Sequence, residues 1–177
     1  MSDIAERLGG SKGTLYNYFP SKQDLFFAVV QDRAERALDD FGPLKHAADL
    51  ESALIDMGLR FLGSVLGLES IAFYRLLISE GGRFPEIGTL FYTQHRSQLV
   101  SPLAHHLCSE VDIAGLGFID HLEAGELFYD LCAGSLHRRA LMGIPLAIDE
   151  DGVRAQVERA VCMFLRICNI GGAASSK

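Results

Sequence analysis

The sequence lacks any apolar run long enough to cross a bilayer. The run over residues 26–30 falls far short of the roughly 20 residues that a spanning helix needs. The N-terminus also lacks the basic, apolar and small-residue succession of a secretory signal. The four cysteines, Cys108, Cys132, Cys162 and Cys168, are scattered and form no C-x-x-C. Disulfide frameworks belong to short secreted chains. Reduced, mostly buried thiols in a cytoplasmic protein are therefore expected. Alternating apolar and polar runs are missing, which argues against half-buried strands. There is no G-x-S-x-G, H-E-x-x-H, P-loop or dinucleotide fingerprint, so no enzyme class is suggested and no cofactor is expected. What is present is 177 residues, 49% hydrophobic and 22% charged. That is too apolar for a disordered chain and ordinary for a globular one.

Charge is unevenly spread. The formal net charge is −7. Residues 1–45 carry six basic and seven acidic side chains, whereas the remainder carries ten and sixteen. Within residues 1–22 the balance turns to +1, from Arg7, Lys12 and Lys22 against Asp3 and Glu6. An acidic chain is not coated in nucleic acid, yet one small basic face can still meet phosphates, because steering depends on the local field.

Apolar residues recur at intervals of three and four, the period of a helix. Leu50, Leu54, Met57, Phe61 and Val65 form one stripe, and Val153, Val157, Val161, Phe164 and Cys168 another. Leu25, Val29, Leu38 and Phe41 mark a third. Breaks fall at Gly42-Pro43, Gly81-Gly82, Gly115 to Gly117 and Gly143 to Pro145, where glycine and proline end helices. Asp49, Asp120 and Asp149 stand where short carboxylates cap helix starts. The pattern predicts an all-α fold with helices near 3–8, 12–18, 22–41, 50–66, 70–80, 86–108, 120–142 and 151–169. The tail over 171–177 is expected to fray. Residues 1–41 read as a helix-turn-helix segment with its connecting helix, and 42–177 as a larger helical domain.

The first 22 residues carry the specific signal. A short helix with Ile4, Ala5 and Leu8 on one face is followed by Gly9-Gly10. Ser11 caps a second short helix over 12–18, Pro20 stops it, and Ser21-x-x-Asp24 is a capping-box pattern opening the next. Two short helices joined by a glycine turn make a helix-turn-helix, whose second helix enters the DNA major groove. Entry requires a slim polar face, which Lys12, Gly13, Thr14 and Asn17 supply. Leu15 and Phe19 point back to the core.

The stretch Asp3-Ile4-Ala5-Glu6-Arg7-Leu8-Gly9, with Ser11-Lys12-Gly13-Thr14-Leu15-Tyr16-Asn17-Tyr18-Phe19-x-Ser21-Lys22-x-Asp24-Leu25, resembles the DNA-binding signature of TetR-family repressors. Further on, Phe73-Tyr74-Arg75-Leu76-Leu77-Ile78-Ser79-Glu80 leading to Arg83-Phe84-Pro85-Glu86 resembles the AcrR/AefR-like branch. The resemblance implies a transcription regulator, a repressor that binds palindromic operator DNA as a homodimer and is released by a small-molecule effector. It implies phosphate contacts from Tyr16 and Lys22, with Tyr18 as a further candidate. Lys12, Thr14 and Asn17 are candidates for base edges, lysine suiting guanine and asparagine suiting adenine. Ser11 and Gly13 complete the expected DNA-contacting set. Such proteins pair through their last two long helices, here 120–142 and 151–169, with Val153, Val157, Val161, Phe164 and Leu165 facing inward or across. Family members open with a further helix packed on the helix-turn-helix. This sequence opens at the second helix, so weak operator binding is expected of it as given. The alternative is a ligand-binding helical protein that no longer binds DNA.

Effector pockets in helical proteins lie between helices and are mostly apolar with a few polar anchors. Met57, Phe61, Phe73, Leu77, Phe91 and Phe128 are the expected walls, and Tyr74, Tyr92, Gln94, His95 and Tyr129 the expected anchors. Other features read as structural. Adjacent His105 and His106 diverge by about 100° on a helix, and His95, His121 and His137 have no ligand spacing, so no metal is expected. Glu123, Glu126 and Asp130 read as a solvated acidic face. Arg75, Glu80 and Arg83 read as an ion-pair corner beside Gly81-Gly82. No membrane partner is expected.

Overall fold

The computed structural model describes Arg7, Gly9 and residues 11–41, 49–110 and 120–168. The side chains of 34–41, 95–97 and 109–110 are outside that set. The expected helix over 3–8 (apart from helical Arg7), the breaks at Gly42-Pro43 and Gly115 to Gly117, and the tail over 171–177 also lie outside the described residues. Among the described residues every regular element is helical. In order these are α1 Lys12–Tyr18, α2 Lys22–Phe41, α3 Leu50–Val65, α4 Leu68–Gly81, α5 Pro85–His95, a π-helical turn Arg96–Val100, α6 Ser101–Glu110, α7 His121–Leu141 and α8 Glu150–Ile167. The single helix expected over 86–108 is continuous, with a π-helical turn between α5 and α6. Pro102, in the first turn of α6, has no N–H for the ladder, and the π turn widens the chain just before it. No single described helix is long and apolar enough to cross a membrane.

The expected caps are formed. Asp49, Asp120 and Asp149 accept from the backbone N–H of Ser52, Glu123 and Gly152 at 2.8, 2.8 and 2.9 Å. Each satisfies an orphan donor of its helix. The hydrogen bonds from Ser52 hold the Asp49 carboxyl below its ordinary value. At the other end of α7, Gly143 and Ile144 donate to Ala140 and Arg139 carbonyls, closing the helix as a Schellman turn.

The principal core lies among α3, α6, α7 and α8. Leu54, Leu62, Phe128, Val157 and Phe164 are wholly buried there. Each such side chain contributes about 1.5–3 kcal/mol by leaving water. Gly58 permits the close approach of α3 and α8, since a Cβ there would stand 2.6 Å from Val157 Cγ1. Val157, Val161 and Phe164 belong to this core, and Val153 and Leu165 pack at its edge. The α8 stripe therefore faces inward. The cysteines divide evenly, with Cys132 and Cys168 buried and Cys108 and Cys162 exposed, which corrects the expectation of mostly buried thiols. Burial pushes the Cys132 thiol up to about 12.

A second core joins α2 to the α4–α5 elbow through Phe26, Val30, Phe73, Leu77 and Ile87. Beside it, Phe73, Tyr74 and Phe91 stack with ring centroids 5.4–6.1 Å apart, and His137 of α7 meets Tyr74 edge-on at 4.7 Å.

The periodicity gives no sign of a kink in α7, yet one is there. Gly134 has φ 47° and ψ −131°, a backbone conformation open to glycine, and it bends the helix. Gln156 of α8 donates to the carbonyls of Leu131 and Cys132 at 3.2 and 3.4 Å, bonding groups next to the kink. A Cβ on Gly134 would stand 3.1 Å from the Gln156 amide nitrogen. Gly134→Ala is expected to cost about 1–3 kcal/mol of unfolding free energy. Urea denaturation checks this, and an unchanged midpoint would mean that α7 runs straight in solution.

His137 supplies a pH test. Burial lowers its imidazole below the ordinary 6.5. As pH falls below 6.5, the unfolded chain takes up that proton first. Stability is therefore present in full above 6.5 and is lost as pH falls from 6.5 to the lowered folded value. His137→Phe is expected to flatten this part of the melting profile between about pH 7 and about pH 5. A slope identical to that of the parent would refute the assignment.

Candidate nucleic-acid interface and effector site

The recognition surface is built on α1. The turn before it contains Gly9 with φ 67°, as expected of a tight glycine turn. Ser11 caps α1, accepting from the Thr14 N–H at 3.0 Å, and its hydroxyl lies 2.9 Å from that of Thr14. Only Leu15 of α1 turns into the core. Ser11, Lys12, Gly13, Thr14, Tyr16, Asn17 and Tyr18 are exposed. Lys12 Nζ stands 5.9 Å from the Tyr16 ring centre, a cation–π distance. Phe19 is half-buried, and its N–H closes α1 on the Leu15 carbonyl at 2.9 Å. Ile4, Ala5 and Leu8, expected on one face of the preceding short helix, lie outside the described residues. Among the described residues, a Cβ on Gly13 would meet Ser11 Oγ at 3.6 Å, an ordinary contact. The missing side chain keeps the exposed helix slim.

The next helix begins as its sequence pattern predicts. Ser21 Oγ accepts from the Asp24 N–H at 3.1 Å and donates to the Asp24 carboxylate at 2.7 Å. Lys22 follows, and its partner was not visible in the sequence. Lys22 Nζ lies 2.7 Å from Glu80 Oε1 at the end of α4. Neighbouring Gln23 bonds the Glu86 carboxylate of α5. Eleven residues along α2 from Lys22, Arg33 donates to Ser70 Oγ at 2.5 Å. The pairs 22–80 and 33–70 show that α2 and α4 run antiparallel.

These contacts correct the expected Arg75–Glu80–Arg83 corner. Glu80 is taken by Lys22. Arg75 instead donates to the Leu141 and Ala140 carbonyls at 2.9 and 2.7 Å, tying α4 to the end of α7. Arg83 lies over the Phe84 ring at 5.2 Å. The three charges expected to pair with one another thus find separate partners, and Arg75 goes to the C-terminal end of α7, where the helix dipole favours a cation.

The expected effector residues separate into two groups. Met57, Phe61, Phe128 and Tyr129 lie in the principal core, with the Phe61 and Tyr129 rings 4.7 Å apart. Tyr129 donates to the Leu99 carbonyl at 3.4 Å, and burial raises its phenol strongly. Phe73, Tyr74, Leu77 and Phe91 line the second cluster. Burial raises the Tyr74 phenol, and the Arg33 charge partly opposes that rise. Tyr92 is exposed and donates to Glu126 at 3.0 Å, so Glu126 is engaged rather than merely solvated. Gln94 is half-buried, and the His95 side chain lies outside the described residues. An open groove of about 670 Å³ runs between Leu59 and Gly63 of α3 and Ile148 to Arg154 at the start of α8. It includes none of the expected effector residues. His137 and Arg33 beside Tyr74 were missed, because neither has a sequence spacing that points to it. Among the described residues no group of three His, Cys, Asp or Glu side chains is placed to hold a metal.

Comparison with known proteins identifies both segments. Residues 1–29 match the model for bacterial regulatory proteins of the tetR family, and residues 52–167 match that for the AefR-like transcriptional repressor C-terminal domain. The solved structure of a flavonoid-responsive regulator, FrrA, is 32% identical, with a TM-score of 0.74 over 95% of this chain and 85% of that one. A TetR transcriptional regulator from Agrobacterium tumefaciens is 26% identical, with a TM-score of 0.74 over 94% of this chain and 82% of that one. A TetR-family protein from Mesorhizobium loti, at 21% identity, shares the fold with a TM-score of 0.78 over 94% of this chain and 84% of that one. No curated protein matches the chain. With two thirds of its residues in the AefR-like domain and the exposed recognition helix ahead of it, the chain belongs to the TetR family of DNA-binding, ligand-responsive transcriptional regulators.

Proposed function

We propose that this regulator is a cytoplasmic repressor that binds palindromic operator DNA as a homodimer, through residues 1–41, and leaves it when an aromatic effector binds within residues 42–177. The observation that carries the DNA reading is the single-sided burial of α1, in which Leu15 anchors the helix and the polar residues around it stay in solvent. Tyr16, Tyr18 and Lys22 then hold phosphates, while Lys12, Thr14 and Asn17 meet base edges. Ser11 fixes the start of the helix, and Gly13 lets it approach the groove closely. Two copies must hold their recognition helices about 34–36 Å apart to read one palindrome.

The effector reading rests on the aromatic cluster of Phe73, Tyr74, Phe91 and His137. Such rings favour a planar aromatic guest. The 32% identical relative is a flavonoid-responsive regulator, which makes a flavonoid the first compound to test. Met57, Phe61, Leu77 and Phe128 supply apolar walls, and Tyr92, Gln94, His95 and Tyr129 polar anchors. Coupling of about 1–3 kcal/mol suffices for a 5–150-fold loss of DNA affinity.

The dimer reading rests on the outward faces of α7 and α8, within 120–142 and 151–169. With the buried α8 stripe committed to the monomer, exposed Met163 and Ile167 are left on its outer side, one turn apart. Homodimers bury the same patch twice by symmetry. Ile167→Glu is expected to shift the sedimentation profile from dimer to monomer at micromolar concentration, and a parent protein that sediments as a monomer would overturn this reading.

Operator duplexes selected from a random pool test the DNA reading. Lys22→Ala is expected to weaken selected and scrambled duplexes alike. Asn17→Ala is expected to relax preference at one or two positions, by about 1–3 kcal/mol per bidentate contact. Failure of the protein to enrich any sequence would refute operator recognition. A flavonoid that leaves an enriched complex intact at saturation would refute the proposed effector class alone.

A further inference from the structure

Lys22 is at the first position of α2, directly after the recognition helix, where a phosphate is expected. In the DNA-free chain its ammonium is already engaged by Glu80 Oε1 at 2.7 Å. The two side chains are unequally placed, with Lys22 49% exposed and Glu80 20% exposed. The carboxylate is therefore held by the elbow, while the lysine has the freer end. Glu80 lies three residues beyond Leu77, and Glu86 one residue before Ile87. Both apolar residues belong to the cluster that docks α2. The second carboxylate, Glu86, is bonded to Gln23, which carries no charge. One ammonium thus faces one internal anion at the point where an external anion must arrive.

A DNA phosphate reaching Lys22 has two options. It displaces Glu80, or it settles beside an unshielded carboxylate and is repelled. Either option costs DNA affinity, and the cost depends on how closely the α4–α5 elbow holds Glu80 against the start of α2. We propose that Glu80 is a built-in competitor for the phosphate-binding lysine, so that operator binding exchanges a carboxylate for a phosphate and elbow position sets the balance. This rests on the operator reading above. It adds an electrostatic route by which a small shift of α4 and α5 weakens DNA contact without moving α1 out of register.

The exchange has a measurable ionic signature. A lysine that neutralises a phosphate releases condensed counterions, with a slope near 0.9 per phosphate in a log–log salt plot. In the parent protein the vacated Glu80 takes a cation back up, which offsets part of that release. In Glu80→Gln nothing is taken back. Glu80→Gln in the full chain is therefore expected to bind selected and scrambled duplexes about two- to five-fold tighter, the worth of one exposed ion pair, with a salt slope steeper by up to about one. More effector is then needed to release the DNA. In a Lys22→Ala background the same change is expected to have no effect on affinity or slope. Glu86→Gln, which frees no cation, is expected to leave the slope unchanged.

Tightening that persists in the Lys22→Ala background, or that Glu86→Gln reproduces, would mean general charge repulsion and overturn the proposal. Unchanged affinity and slope for Glu80→Gln in a protein that does bind DNA would overturn it while leaving the operator reading intact. A parent protein that binds no duplex removes both.

Discussion

Docking of α2 across the α4–α5 elbow is the contact on which the remaining organisation depends. α2 follows directly on the recognition helix, so wherever it lies α1 is carried with it. Phe26 and Val30 enter the cluster of Phe73, Leu77 and Ile87, and polar links at Lys22, Gln23 and Arg33 hold both ends. Burial of the apolar residues supplies most of the adhesion, because exposed polar pairs contribute only about 0–1 kcal/mol each. The polar links define register instead. The apolar residues fix how closely the helices pack, and the polar links tie the start of α2 and its middle to α4 and α5.

The larger bundle provides the frame against which that docking is fixed. α3 and α8 approach closely at Gly58, and α7 lies against both. Arg75 connects this frame to α4 by bonding the last carbonyls of α7. A chain of direct contacts therefore runs from the kinked α7, through Arg75 and the Tyr74–His137 pair, into α4, and from Glu80 to Lys22 at the start of α2. Every link is a side-chain contact with its own geometry. In a two-state regulator a ligand shifts the equilibrium only by its differential affinity for the two states.

The kink in α7 shows how local strain and tertiary contacts are linked. Gly134 adopts a backbone conformation that other residues avoid, and Gln156 from the adjacent helix bonds the nearby Leu131 and Cys132 carbonyls. His137, three residues later, then meets Tyr74. A regular helix would send His137 in another direction. The His137 contact with Tyr74 accordingly follows a bend that the packing of α7 on α8 braces.

Local physics made much of this protein legible from its residues alone. Helix periodicity located α2, α3, α7 and α8 within a residue or two. The carboxylates of Asp49, Asp120 and Asp149 and the hydroxyls of Ser11 and Ser21 capped the helices that followed them, because a cap needs only neighbours three residues away. The polar face of α1, with Leu15 turned inward, followed from the same short-range rule. Partners far apart in sequence were decided only by the fold. Nothing in the spacing told Glu80 to choose Lys22 over Arg75 or Arg83, since a charge carries no address and takes the partner that packing brings within reach. Likewise, the expected apolar walls of the effector site were recognised as inward, but their division between two cores depended on how α4 and α5 turn away from α3. Periodicity says which face of a helix is buried, and only the packed chain says against what.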